Sequence, residues 1–232
     1  MIFPKYIRGL AGMIAGLTCV SGTVSADPVD RYVSFNVHNP SAFVAGFNAF
    51  RESGVMDGTT ASLWGAMFDG SNPTTHVLVV SYDDYAELQN TDDRVRPSRE
   101  WSDYLNAIEG TSDVTAIAMG IQRLAVGSDW HKHGAGMVFN MTVRDAASYA
   151  TEFAKLIDSM DNPGSARLIE IRAGGEGATH LAAITAPDFV SLNTYVDELF
   201  SSDAYRNFAR KVGDIRRINT TSIYRRVASW ED

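Results

Sequence analysis

Cysteine is almost missing from this chain: Cys19 is the only one in 232 residues. It lies in an N-terminal stretch that reads as a removable leader. The remainder then offers no thiolate for a metal, no disulfide and no cysteine nucleophile. Lipidation at Cys19 fits poorly, because Gly16, Leu17 and Thr18 precede it. Positive charge is scarce too, with 20 Lys and Arg against 28 Asp and Glu, a net −8. Without the leader's Lys5 and Arg8, and with no acid lost, the balance is −10. That argues against phosphate backbones and anionic membrane surfaces as partners, since both need clustered cations. Local basic clusters exist, and "RRINTTSIYRR" at 216–226 reads as the solvated rim of a strand. Recognisable cofactor motifs are missing as well. There is no phosphate-binding glycine loop, no nucleophile elbow and no His-Glu-x-x-His helix, and "GGEG" at 174–177 reads as a hairpin turn.

The first 26 residues carry their own message. "MIFPKYIRGL" is basic, "AGMIAGLTCV" is apolar and "SGTVSA" ends in small residues. This is the three-part order of a secretory signal, with Val24 and Ala26 before the cut and a mature start near Asp27. The apolar run is short and diluted by Gly, Ser and Thr, so it would span a membrane poorly. A periplasmic or secreted protein without a membrane anchor is expected. Apolar residues make up 45% of the chain and charged ones 21%, which suits a packed core.

Beyond the leader, one frame is written twice. "THVLVVSYDDYAEL" at 75–88 and "THLAAITAPDFVSL" at 179–192 share Thr, His, Asp and Leu at an offset of 104. At that offset "FN" at Phe35-Asn36 meets Phe139-Asn140, and Trp101, Tyr104 and Ile108 meet Tyr205, Phe208 and Val212. A match kept over so much chain points to a repeated unit. The helix after the first strand needs a two-residue shift to bring Phe43 onto Tyr149.

Each copy reads in the same order. "RYVSFNVH" (31–38) alternates as a strand, and Asn39-Pro40 opens a helix with Phe43, Phe47 and Phe50 on one face. Residues 59–68 and 75–82 form a hairpin around "DGSNP". A helical region follows, interrupted by "TDDRVRPSRE", and 114–124 closes as a strand. The second copy runs through the strand "GMVFNMTV", a helix with Tyr149, Phe153 and Leu156 inward, the hairpin "SARLIEIRA" to "THLAAIT", a helix opened by Pro187, and the strand "IRRINTTSIYRRV". The expected fold class is α+β: two ferredoxin-like βαββαβ repeats forming one pseudo-symmetric α+β barrel. The expected units are a signal peptide at 1–26, a first repeat at 27–124, a linker at 125–134 and a second repeat at 135–232.

In element order and internal repeat, residues 31–227 resemble the dimeric α+β-barrel superfamily in tandem form. The resemblance implies two sheets packed face to face. It spans cofactor-free monooxygenases, cyclases, isomerases, haem-binding chlorite-dismutase-like proteins and members without known chemistry. Fold alone does not choose among them.

Site candidates follow from this order. The end of the first strand should meet the start of the third, bringing His38 and His76 together. Alternation puts Ser34, Asn36 and His38 on one face, expected to be the barrel interior. His38, His76 and Asn36 are the catalytic candidates: a neutral imidazole moves protons near pH 7, and an amide polarises a carbonyl. Trp64 and Phe68 would supply aromatic wall, and Asn140 and His180 are the second copy's ligand-binding counterparts. Alternatively, Thr-His opens a strand in both copies for structural reasons alone. His131 and His133 in "WHKH" form a His-x-His pair, but two ligands are not a metal site and a solvated linker is expected. Glu170 and Arg172 are either a buried charged pair or a surface one.

No cofactor is expected. A haem relative would need a histidine in a second-copy helix, and none is there. The expected partner is a small molecule, and the sequence carries no signal for oligomeric state. The reading is an exported small-molecule-binding barrel that, as an enzyme, would be a cofactor-independent monooxygenase, cyclase or isomerase of an apolar or aromatic compound. The alternatives are a non-catalytic interaction protein with a filled barrel and a haem-binding chlorite-dismutase-like protein.

Overall fold

The chain is described by a computed structural model covering residues 27–127, 129–160 and 164–231. The secretory leader expected at 1–26 lies outside the described residues. The first half runs β1 (Val29–Val37), α1 (Pro40–Glu52), β2 (Thr60–Phe68), β3 (His76–Tyr82), α2 (Tyr85–Val95), α3 (Arg99–Ile108) and β4 (Ser112–Gly127). A single 3-10 turn, Trp130–Lys132, leads into the second half. That half runs β5 (Ala135–Val143), α4 (Ala146–Asp158), β6 (Ser165–Ala173), β7 (His180–Ala186), α5 (Phe189–Ser201), α6 (Asp203–Val212) and β8 (Arg216–Trp230).

Short polar residues set the helix starts. Asn39, Asp84, Ser98, Asp145, Asp188 and Ser202 each accept a backbone N–H of the first turn through the side chain. The shared Asp84 and Asp188 of the repeated frame are therefore caps. Pro97 precedes the Ser98 cap and marks the break between α2 and α3. Ser202 makes the same break in the second half with an extended backbone and no proline.

The eight strands close a barrel in the order β1-β3-β2-β8-β5-β7-β6-β4, with every pairing antiparallel. The long strands β4 and β8 make the closure. Each pairs within its own half, and each also crosses to the other half, β4 to β6 and β8 to β2. Helices cover the outside. One core lies under α1–α3, built on Phe35, Phe43, Phe47, Leu63 and Leu78. The other lies under α4–α6, built on Met141, Tyr149, Phe153, Leu168 and Leu192. The aromatic faces expected on α1 and α4 are buried as read. Among the described residues no helix is long and apolar enough to cross a membrane.

Strand registers correct one detail of the repeat. His76 lies opposite Phe35, and His180 lies opposite Met141. The two-residue shift is therefore already present in β1 and β5, not introduced at the turn into the helix. Phe35 corresponds to Met141, and the "FN" match at 139–140 does not superpose. The backbone confirms this spacing: His38 N–H donates to Thr111 C=O, and Arg144 N–H donates to Ile215 C=O.

Candidate ligand site

Period-two alternation decides what faces the barrel lumen. On β1, Phe35 and Val37 point to the helices, while Tyr32 and Ser34 point inward. On β3, Leu78 and Val80 point outward, while Val77 and Val79 point inward. The inward side chains do not fill the barrel. They leave a cavity of about 410 Å³. Its walls are largely apolar, with Trp64, Val77, Val79, Val138, Ile169 and Leu181 among them. Its mouth is rimmed by the exposed Asn72, Pro73, Gly174 and Glu176 of the two hairpin turns. Its floor holds Trp130, Arg167 and Tyr32.

The floor is where the chemistry gathers. Asp30 is 2% exposed and accepts three hydrogen bonds. Ser81 Oγ donates at 2.6 Å, Tyr32 OH at 2.8 Å and Arg167 Nη1 at 3.3 Å. The Arg167 guanidinium lies 3.5 Å above the Trp130 ring. Trp130 in turn stacks with Trp64 at 6.0 Å. Burial pushes the Tyr32 phenol well above its usual range, and the neighbouring Asp30 charge adds to the effect.

His131 ties this floor to the linker. Its Nδ1 lies 3.2 Å from Ser62 Oγ and its Nε2 lies 3.2 Å from Ser81 Oγ. Burial, then the Arg167 charge, pulls its pKa down to about 4, so the ring is neutral near pH 7. The proton positions follow from the partners. Ser81 spends its proton on Asp30, so His131 Nε2–H donates to Ser81 Oγ. Nδ1 then accepts from Ser62, whose oxygen takes the Trp64 Nε1–H at 2.8 Å. One directed chain of donors thus runs from Trp64 to the Asp30 carboxylate. His133 is buried beside it, with Nδ1 2.7 Å from Thr185 Oγ1. The solvated linker expected at His131 and His133 is corrected: the turn is buried and closes the floor. Among the described residues no group of His, Cys, Asp or Glu could hold a metal ion.

The residues singled out from sequence land in different places. Trp64 and Asn140 line the lumen, and Asn140 Nδ2 donates to Thr220 Oγ1 at 2.9 Å. Ser34 lines it too, whereas Asn36 does not. His38 is exposed at the barrel end and pairs with Asp113 at 2.8 Å. His76 and His180 share the outward face of β3 and β7, in phase with Leu78 and Ala182, so neither enters the lumen. Phe68 is 60% exposed and lies beside Phe189. Glu170 and Arg172 face outward as a surface pair, 3.3 Å apart, with Arg123 on the other carboxylate oxygen. The structure therefore does not bring His38, His76 and Asn36 together in the lumen.

The repeated Thr-His has a structural explanation. Thr75 Oγ1 accepts Val37 N–H at 2.8 Å, and Thr179 Oγ1 accepts Val143 N–H at 2.9 Å. Each hydroxyl also meets Nδ1 of the next histidine, at 3.0 and 2.9 Å. The dipeptide ties off the ladder where the first strand of each half leaves its partner.

The candidate site residues not singled out from sequence are Asp30, Tyr32 and Arg167. Asp30 and Tyr32 share the inward parity of Ser34; a strand starting at residue 31 leaves out Asp30, whereas Tyr32 lies within it and its parity was the available signal. Arg167 shares a face with Ile169 and Ile171, while Leu168 shares the other with Glu170 and Arg172. Both faces of β6 mix charge with apolar residues, so parity alone could not orient it.

No family model and no curated protein sequence matches the chain. Solved structures match over nearly its whole length. A provisionally assigned monooxygenase from Fusobacterium nucleatum has a TM-score of 0.58 at 14% identity, covering 89% of this chain and 95% of that one. An anthrone oxidase-like protein has a TM-score of 0.56 at 10% identity, covering 88% and 93%. A provisionally assigned chlorite dismutase has a TM-score of 0.53 at 9% identity, covering 88% and 96%. The lumen offers no imidazole to a haem. None of the five histidines, the usual axial ligands, lines the lumen, and α4–α6 carry none. At these identities the likeness speaks to fold and not to activity. Element order, barrel closure and these likenesses agree on the fold, an α+β barrel of two βαββαβ halves closed within a single polypeptide.

Proposed function

We propose that the protein is an exported barrel that binds an apolar or aromatic small molecule in its lumen. As an enzyme it would act as a cofactor-independent monooxygenase, cyclase or isomerase on that compound. The observation that carries this reading is the lumen itself. Its volume of about 410 Å³ falls in the range of small-molecule sites, and its apolar walls end in a few convergent polar groups. A non-catalytic protein with a filled barrel would lack such a space. The same fold is found in proteins described as a monooxygenase and as anthrone oxidase-like, so the barrel is compatible with this class without selecting it.

Two further parts of the reading rest on sequence. The basic, apolar and small-residue order of 1–26 supports export with a mature start near Asp27. The repeated frame supports an origin by internal duplication, with the second half one residue shorter between α4 and β6 and one shorter in the turn between β6 and β7. Native mass spectrometry of protein purified from the periplasmic or secreted fraction of its own host tests location, maturation and ligand together. The expected result is a mass starting near Asp27 with a retained apolar compound. Substituting Val138→Phe, which fills the lumen from its wall, should abolish retention while the far-ultraviolet spectrum persists. Equal retention by this variant would place the ligand elsewhere and end the lumen reading.

A further inference from the structure

We propose that the lumen selects an uncharged ligand, docked through an acceptor oxygen on Arg167, and that Asp30 sets this selection. The inference rests on the lumen reading above and names the class of molecule the lumen takes.

Arg167 is 4% exposed and lines the lumen floor. Its Nη1 donates to Asp30 and its plane rests on Trp130, but its buried Nε has no hydrogen-bond partner. A guanidinium with a single side-chain partner is under-satisfied, and a bound molecule that supplies an acceptor to its lumen-facing side relieves that penalty. Tyr32 is already committed to Asp30, and His131 is committed to Ser62 and Ser81. Arg167 is therefore a charged floor group with donors to spare.

The charge of the ligand follows from the charge of the floor. Asp30 and Arg167 are one anion and one cation, both buried, and His131 beside them is neutral. A carbonyl or quinone oxygen accepts an N–H of the lumen-facing Arg167 guanidinium and leaves this balance intact. A carboxylate brings a second negative charge next to Asp30 and leaves the buried floor with an uncompensated charge. Glu176 at the rim adds to the repulsion along the way in. An arginine in an apolar lumen would by itself suggest an acid as ligand. The presence of Asp30 reverses that expectation.

The test uses calorimetry on the mature chain with three probes substituted at the same ring position: ethylnaphthalene, acetylnaphthalene and naphthoate. The ketone should bind about tenfold or more tightly than the hydrocarbon, because its oxygen meets a charged donor. Naphthoate should bind about tenfold or more weakly than the ketone. Asp30→Asn should reverse the order of ketone and carboxylate. Equal binding of ketone and hydrocarbon, or preference of the wild-type chain for naphthoate, overturns the inference while leaving the lumen reading standing. Failure of all three probes removes both. Should Asp30→Asn fail to fold, Asp30→Asn combined with Arg167→Met removes both charges together and leaves no uncompensated buried charge. That chain should bind the hydrocarbon as the wild type does, with no advantage for the ketone. A surviving ketone advantage would again overturn the assignment to Arg167.

Discussion

Acidification should destabilise this fold through one identified residue. His131 is buried between two serine hydroxyls, and its folded pKa is about 4 against an ordinary value of 6.5. The unfolded chain therefore binds the proton more readily than the folded one, and protonation favours unfolding. The contribution is complete above about pH 6.5, declines as pH falls through the interval below it, and is exhausted near the folded value. The interval of roughly two and a half units corresponds to about 3 kcal/mol in full, and about 2 kcal/mol of it is lost by pH about 5. Burial also lowers the pKa of His76, His133 and His180, so their losses carry the same sign. Carboxylates titrate over part of the same range, so the single profile is not diagnostic and a difference is needed. Urea unfolding of the wild type and His131→Gln at pH about 7.5 and about 5 supplies it. The variant should be less stable at the higher pH, having lost packing on Trp130 and its fit between the serines. Its further loss on acidification should be about 2 kcal/mol smaller than that of the wild type. Parallel profiles for the two proteins would refute the claim that His131 is held neutral by the floor.

Two other outcomes follow from the barrel. Thr75→Ala or Thr179→Ala strips the acceptor from Val37 N–H or Val143 N–H, and each should cost about 1–2 kcal/mol in urea unfolding. Neither should change ligand affinity, since both lie outside the lumen. Residues 135–232 expressed alone should not fold to a soluble monomer, because β6 and β8 would lose their partners β4 and β2 and expose open edges. A folded monomer by size exclusion and amide dispersion would contradict the shared barrel.

Much of the fold was legible because it is local. Alternation in "RYVSFNVH", the aromatic face of Phe43, Phe47 and Phe50, and the Asp and Ser caps depend on a few neighbouring residues each. The repeated frame then supplied the element order. The site was less legible because it is made of long-range meetings. Asp30 and Arg167 are 137 residues apart, and Ser81 and His131 are 50 apart. Histidine drew the eye to His38 and His76, which alternation and the barrel end place outside the lumen. In contrast, "WHKH" looked like solvated connection, and only the packed turn shows Trp130 and His131 buried against the floor. A linker of this composition carries no periodicity that would announce burial.

The closed floor has a kinetic consequence. Trp130, Arg167 and Asp30 are buried at one end, and the hairpin turns rim the other, so traffic shares a single doorway. Under a catalytic role, a product would depart by the route its precursor took, and two reactants would load in order, the deeper one first. For a reaction with a small second reactant, saturating the larger molecule should therefore inhibit turnover, because the early arrival of the larger body bars the passage.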